Sequence, residues 1–467
     1  MPQSDNSNNL VRVLARKDVL ALAFGAMIGW GWIVLTGKFI VNAGSIGAIV
    51  AFLIGGAAVI LVGLTYAELA AAMPKVGGEH VYSYRALGHF ASFICTWAII
   101  LGYISVVSFE AVALPTVVES LFPGYSVGHL WTISGWDVNF TWVLVGVAGS
   151  LVMMAINYVG ITMAALIQRL VTLLILAVGA LFISGALFTG ETATLQPLFH
   201  GGSGGIMTVM IMVPFLFVGF DVIPQAAEEI NLPFRDIGRV LTLSVILAVV
   251  WYALIVLGTS LMMPASALGG DVLAVPAAME QVFNAPWASK LMILAGVAGI
   301  ITSWNAFYIG GSRAIYALAH AGMLPTALAK LHPKYKTPTN AILLIGILST
   351  LAPLLGRPAM VWLVDAGGLG IVIAYLFVAL SFLVLRIKEP EMPRPFFVRQ
   401  GKLVGALAVL LSLGMTALYL PFSPSALTPA EWLVFGGWMI GGLLMYVWAL
   451  KRYGKEYAVK AMAHEYE

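Results

Sequence analysis

The chain has 467 residues, of which 61% are hydrophobic and 10% charged, against roughly 25% charged in soluble domains. Its formal net charge is +3 and it holds one cysteine, Cys95, which excludes an intrachain disulfide and a thiolate metal cluster. So apolar a chain leaves almost nothing for a soluble domain, and in a membrane protein basic residues gather beside helix ends, so nucleic acid is not implied.

Runs of about 20 apolar residues between polar breaks predict twelve spans in an all-α membrane protein. In chain order they lie near 18–41, 44–73, 86–121, 140–158, 163–188, 204–230, 236–263, 285–320, 339–356, 361–387, 402–421 and 431–451. The first run is followed by "KFIVNAG" rather than a small-residue cleavage site, so it is expected to be retained as a span. Arg12, Arg16, Lys17, Lys75, Arg85, Arg169, Arg235, Arg239, Lys330, Lys334, Lys336, Arg386 and Lys388 fall at the N-terminus or in even-numbered connections, whereas the odd ones hold little beyond Lys290 and Arg357. The positive-inside rule then places both termini in the cytoplasm of a multi-pass cell-membrane protein.

The first and sixth spans are interrupted. The first carries "GAMIGWGWIVLTG" and the sixth "PFLFVGFDVIPQ"; they are five spans apart, as are the two longest runs, the third and the eighth. This pattern predicts a 5+5 inverted repeat with broken first and sixth helices plus two extra C-terminal helices. The expected organisation is a tail at 1–17, a first repeat at 18–200, a second at 201–390, two further spans over 391–451 and a tail at 452–467. Unpaired backbone at membrane depth survives only where a cavity, ion or ligand satisfies it. Gly25, Gly29 and Gly31 let the chain leave the helix near mid-span, and a new half-helix start suits a carboxylate while the preceding carbonyls suit an ammonium or a cation.

Charges inside spans are few. Glu110 lies within the third span and Asp221 in the broken sixth, each suited to balance an ammonium or carry a proton; Asp221 is equally suited to cap the second half-helix, and Glu110 to pair with a neighbouring helix. Glu68, Glu228 and Glu229 stand near span ends as structural or gating ion pairs, with Arg235 and Arg239 close in sequence to the latter two. Thr302 and Ser303, in "AGIITSWNAF" of the eighth span, can join first-span carbonyls around sodium or bond their own preceding turn. The seven histidines fall in loops or near span ends and no metal-ligand spacing occurs, so neither a metal nor an enzymatic cofactor is expected.

Several stretches together resemble the amino acid, polyamine and organocation permease superfamily: the "GAMIGWGWIVLTG" break, "TYAELAAAMPKVGGEHVYSYRALG", "NYVGI", "FVGFDVIPQAAEEINLPFRDI", "GGSRAIYALAHAGMLP", "LHPKYKTPTNAI" and "LRIKEPEMPRPF". The resemblance implies a leucine-transporter type fold that moves a small amino acid, or an organic amine or polyamine, by alternating access. Carried over by position, Ile28, Gly29, Trp30 and Gly31 would offer backbone to a substrate carboxylate. Phe217, Val218, Gly219 and Phe220 would face its amine and side chain, beside Asp221, with an aromatic of this stretch closing over it; Tyr103 and Glu110 would line the third-span wall. Gly25, Thr302 and Ser303 are the ion-site candidates. Trp30 stands where many relatives have a small hydroxyl residue, and Ile175 where proton-coupled relatives can carry a lysine. Sodium coupling, proton coupling and exchange all fit, as do a monomer and a homodimer in membrane lipid.

Overall fold

The computed structural model describes residues 10, 12–268, 273–423, 426–454 and 457. Among them, 11 helices are long and apolar enough to cross a membrane. They run Arg16–Val34, Ser45–Ala72, His89–Leu121, Phe140–Val159, Ile161–Thr189, Gly202–Gln225, Phe234–Met262, Pro286–His320, Ala359–Lys388, Gly401–Leu418 and Pro429–Tyr453. The span expected at 339–356 is a helix Thr339–Leu351 that tightens into a 3₁₀ turn, Ala352–Leu355, and is shorter than the others. Much of the tails expected at 1–17 and 452–467 lies outside the described residues.

Helices follow from unbroken runs in which every backbone donor must find a partner within its own segment. The breaks come where glycine and proline relax that demand. Connections carry elements the apolar runs did not announce: a hairpin pairs His129–Ile133 with Trp136–Asn139 antiparallel within an otherwise all-helical fold. A short helix Ala274–Phe283 precedes the eighth span, and another, Glu79–Leu87, precedes the third.

Helices of the third and eighth spans, 33 and 35 residues long, form the centre; 83% of each apolar window is buried, so they cannot be lipid-facing walls. The last two helices are only 28% and 17% buried and lie at the periphery. Between these extremes the first and sixth spans are held in contact, and their breaks meet. A Cβ on Gly219 (φ +135°) would lie 2.5 Å from the Ala26 Cβ and 3.1 Å from the Met27 nitrogen, so only glycine admits this approach.

The face carrying the N-terminus is tied together by bonds between distant segments. The Val13 and Leu14 N–H groups donate to the Glu229 carbonyl at 2.9 Å, and the Asn231 N–H returns a bond to Leu14. Glu229 in turn accepts two 2.8 Å bonds from Arg313 of the eighth span, both side chains about 1% exposed. The sequence neighbours Arg235 and Arg239 are not its partners: Arg239 pairs with Asp236. Glu68 likewise finds Arg386 and Arg394, more than 300 residues away, so the ion pairs join distant elements.

Candidate functional site

The first helix runs Arg16–Met27 and helical backbone resumes at Gly31–Val34. Upstream, the Ile28 N–H still reaches Phe24 and Gly25; downstream, bonding restarts with Ile33 donating to the Trp30 carbonyl at 3.0 Å. The N–H groups of Gly29, Trp30 and Gly31 thus stand at a half-helix start, where no upstream carbonyl serves them. The sixth span breaks between Phe217 and Val222.

A cavity of about 640 Å³ opens beside the first break. Of the expected residues, Gly29, Trp30, Gly31, Glu110, Val218 and Ser303 line it. It extends toward Lys38, Arg357, Asp365 and Glu431, on the side opposite the face carrying the N-terminus, and its body is apolar, with Val106, Phe109, Phe215, Leu216 and Phe307 in the wall.

Glu110 is the buried acid beside the first break. One carboxylate oxygen accepts from the Ser303 hydroxyl, whereas Oε2 is buried with no partner. A Cβ on Gly29 would lie 3.1 Å from Glu110 Oε1 and 3.0 Å from Ser303 Oγ, so this carboxyl sits directly against the unwound backbone. Glu110 therefore bonds a neighbouring helix and also lines the cavity.

Asp221 is placed differently. Its Oδ1 accepts the Gly219 N–H at 2.7 Å and its Oδ2 the Tyr103 hydroxyl at 2.6 Å, so it is tied to the unwound segment and to the third span, and its side chain does not cap the second half-helix. Neither Asp221 nor Tyr103 lines the cavity, nor do Ile28, Gly219, Phe217 or Phe220. Phe217 packs edge-on against Tyr252 and Phe52, and Phe220 against Tyr66. The extended Val218 and the positive φ of Gly219 reset the helical phase between them. The aromatic side chains of the wall are instead Phe109 and Phe215, in edge contact at 6.1 Å, and Phe307.

Trp30 does not fill the cavity as its bulk suggests. A Cβ on Gly296 would lie 2.1 Å from the Trp30 ring, so the indole is seated on a glycine of the eighth span. One turn further on, Gly299 brings that helix against the bare carbonyls: its Cβ would stand 2.5 Å from the Gly29 oxygen and 2.9 Å from that of Ile28.

At the ion-site candidates, the Thr302 hydroxyl bonds its own preceding turn, to the Gly299 carbonyl at 2.9 Å. Ser303 is committed to Glu110. Around Gly25 stand two side chains missed in the sequence: Gln168 and Thr172 of the fifth span both donate to the Ala21 carbonyl. Gln168 continues into an amide chain, accepting from Asn305 at 2.9 Å, which accepts from Asn157 at 3.0 Å. These amides, isolated in the apolar strings "AINYVG" and "ALIQRLVT" and in "SWNAF", are the signal that marks the cluster. Tyr252, whose hydroxyl donates to the last carbonyl of the first half-helix, Met27, at 3.1 Å, was equally missed.

The sequence profile of the family described as "Amino acid permease" matches residues 14–445. The chain belongs to the amino acid permease family. Its relatives are transporters rather than enzymes. The permease is 28% identical over 459 residues to the branched-chain amino acid permease BcaP of Bacillus subtilis, covering 97% of this chain and 96% of that one. It is 26% identical to the methylthioribose transporter of the same organism, over 94% of each chain. Its identity to that organism's aspartate-proton symporter is 25%, over 86% of this chain and 78% of the symporter.

Proposed function

We propose that this permease carries a small amino acid with an apolar side chain across the cytoplasmic membrane by alternating access, and that Glu110 carries the coupled proton. The observation that supports this most is the pairing of a half-helix start at Gly29–Gly31 with a buried carboxyl that lines the same cavity and has one oxygen without a partner. The half-helix start is a ready acceptor for a substrate carboxylate. Glu110 stands within reach of the ammonium end, and the Val106, Phe109, Leu216 and Phe307 wall suits an aliphatic side chain.

The relatives carry names for branched-chain amino acids, methylthioribose and aspartate with a proton, so likeness alone does not choose the substrate and the wall must. One acid beside the break, Glu110, with Asp221 engaged elsewhere and with Asp365 and Glu431 matched in number by Lys38 and Arg357, favours a zwitterion over a polyamine. The hydroxyls proposed for sodium are occupied by their own turn and by Glu110, which favours the proton.

The architecture we propose for this is two inverted five-span repeats, 18–200 and 201–390, with 391–451 outside them. We count Thr339–Leu355 as the ninth of twelve crossings, since its residues at about 1.5–2.0 Å rise each reach about 26–34 Å. Both termini then lie in the cytoplasm, and the cavity faces outward.

Uptake into proteoliposomes tests the reading. A leucine- or valine-sized substrate should accumulate under an inward proton gradient without sodium. Glu110→Gln should lose gradient-driven accumulation and pH dependence while retaining exchange. A sodium requirement, or wild-type pH dependence in Glu110→Gln, removes Glu110 as the carrier; preferential uptake of diamines removes the zwitterion.

A further inference from the structure

On the N-terminal face, away from the transport cavity, a second cavity of about 580 Å³ opens between the start of the fifth span and the connection joining the eighth span to the ninth. Arg169, Lys334 and Lys336 line it, with Asp18 as the acid among its lining residues. Asp18 is engaged with Arg169 at 3.3 Å, so three cations and one acid stand among the described lining residues. The connection that presents the lysines is a fixed turn. His332 Nδ1 accepts the N–H groups of Lys334 and Tyr335, and its carbonyl accepts that of Lys336.

The opposite rim is apolar and outward-facing: Val159, Met163 and Leu166 are 44%, 46% and 40% exposed on spans otherwise suited to lipid. The fifth-span helix begins at Ile161 after Gly160, with no side-chain cap, and its first turn also lines the cavity. The cavity and its cationic wall carry the selectivity; the helix start adds to the same field. A pocket cationic on one side and aliphatic on the other fits an amphiphile rather than a free ion.

We infer that this cavity binds the phosphate headgroup of an anionic phospholipid from the leaflet on the N-terminal side, with its acyl chains along Met163 and Leu166. The inference is independent of the transport reading, because none of these residues touches the transport cavity. Basic pockets at membrane-helix ends bind such headgroups, and each Lys or Arg near an anionic surface contributes about fivefold in affinity.

The test titrates the purified full chain in neutral-detergent micelles with phosphatidylglycerol or phosphatidylcholine, reading the melting temperature and, by native mass spectrometry, the lipid retained. Phosphatidylglycerol should stabilise saturably and phosphatidylcholine should not. Lys334→Gln combined with Lys336→Asn, the latter chosen because Lys336 has φ +55° and asparagine accepts that region, should need about 25-fold more lipid. Lys334→Arg should titrate as wild type. A control pair, Arg235→Gln with Lys402→Gln, removes the same charge from exposed positions and should leave the titration unchanged. Equal response to both lipids, a wild-type titration in the double variant, or equal weakening in the control pair would overturn the inference. So would full stabilisation by glycerol 3-phosphate or inorganic phosphate alone, which would make the site one for a soluble anion.

Discussion

The pair Glu229–Arg313 ties the N-terminal face together, and its energetics are asymmetric in a way that can be measured. Two parallel 2.8 Å bonds join side chains about 1% exposed. In Glu229→Gln the guanidinium stays buried without a counter-charge, a loss of about 3–5 kcal/mol. Replacing both, Glu229→Leu with Arg313→Leu, removes the uncompensated charge and should recover most of that loss. Cys95 supplies the readout: it is the chain's one cysteine and fully buried, so a maleimide reaches it only through opening. Where reclosing outpaces labelling, the rate follows the open population. A loss of 4 kcal/mol then accelerates labelling about a thousandfold, while the double variant labels within about tenfold of wild type. If Glu229→Gln labels at the wild-type rate, the pair does not secure the fold. If the double variant labels as fast as the single, lost packing rather than a stranded charge is the cause.

Gly299→Ala should abolish uptake, because its Cβ meets two backbone oxygens of the first break at under 3 Å; normal uptake in a folded variant would show that the break does not need this close approach. Asn305→Leu strands Gln168 Oε1 and leaves Asn157 Nδ2 only its bond to the Met153 carbonyl, and should cost about 1–3 kcal/mol, given about 0.6–1.7 kcal/mol per hydrogen bond between membrane helices, read as a lower melting temperature. Burial, with nearby His89 and His320, pushes the pKa of His80 from the usual 6.5 down to about 3. The unfolded chain then takes up a proton that the folded one refuses as pH falls from 6.5 toward 3, and stability is lost across that window by about 1.4 kcal/mol per pH unit. His80→Asn, which keeps a polar side chain beside Ser92, should lose less melting temperature between pH 7 and pH 4 than wild type; an identical loss would show that His80 does not drive it.

Span positions were legible because hydrocarbon imposes one rule on every segment: an apolar run long enough to cross must satisfy its own backbone. The breaks were legible for the complementary reason. "IGWGW" and "VGFDVIP" put glycine and proline where a span gains nothing from them, and helices do end at Met27 and Phe217. The hairpin between Trp131 and Trp136 escaped notice because a connection outside the apolar runs carries no such rule.

Side-chain direction was harder, and the reason is local to the breaks. Helical phase predicts a face only while the helix continues; one residue at φ +135°, Gly219, is enough to turn Phe220 and Asp221 away from Val218. Residues on unbroken helices keep their phase, yet the third span is buried all round, so its sequence has no polar face to orient Tyr103 against Glu110. What separated them was chemistry across the interface. Tyr103 meets the Asp221 carboxylate and Glu110 meets Ser303, leaving one oxygen of Glu110 buried and unmatched. In a core this apolar, an acid with an unfilled acceptor is costly unless something arrives to fill it. That unfilled bond, rather than the glycines alone, is where a proton or a substrate ammonium has most to gain.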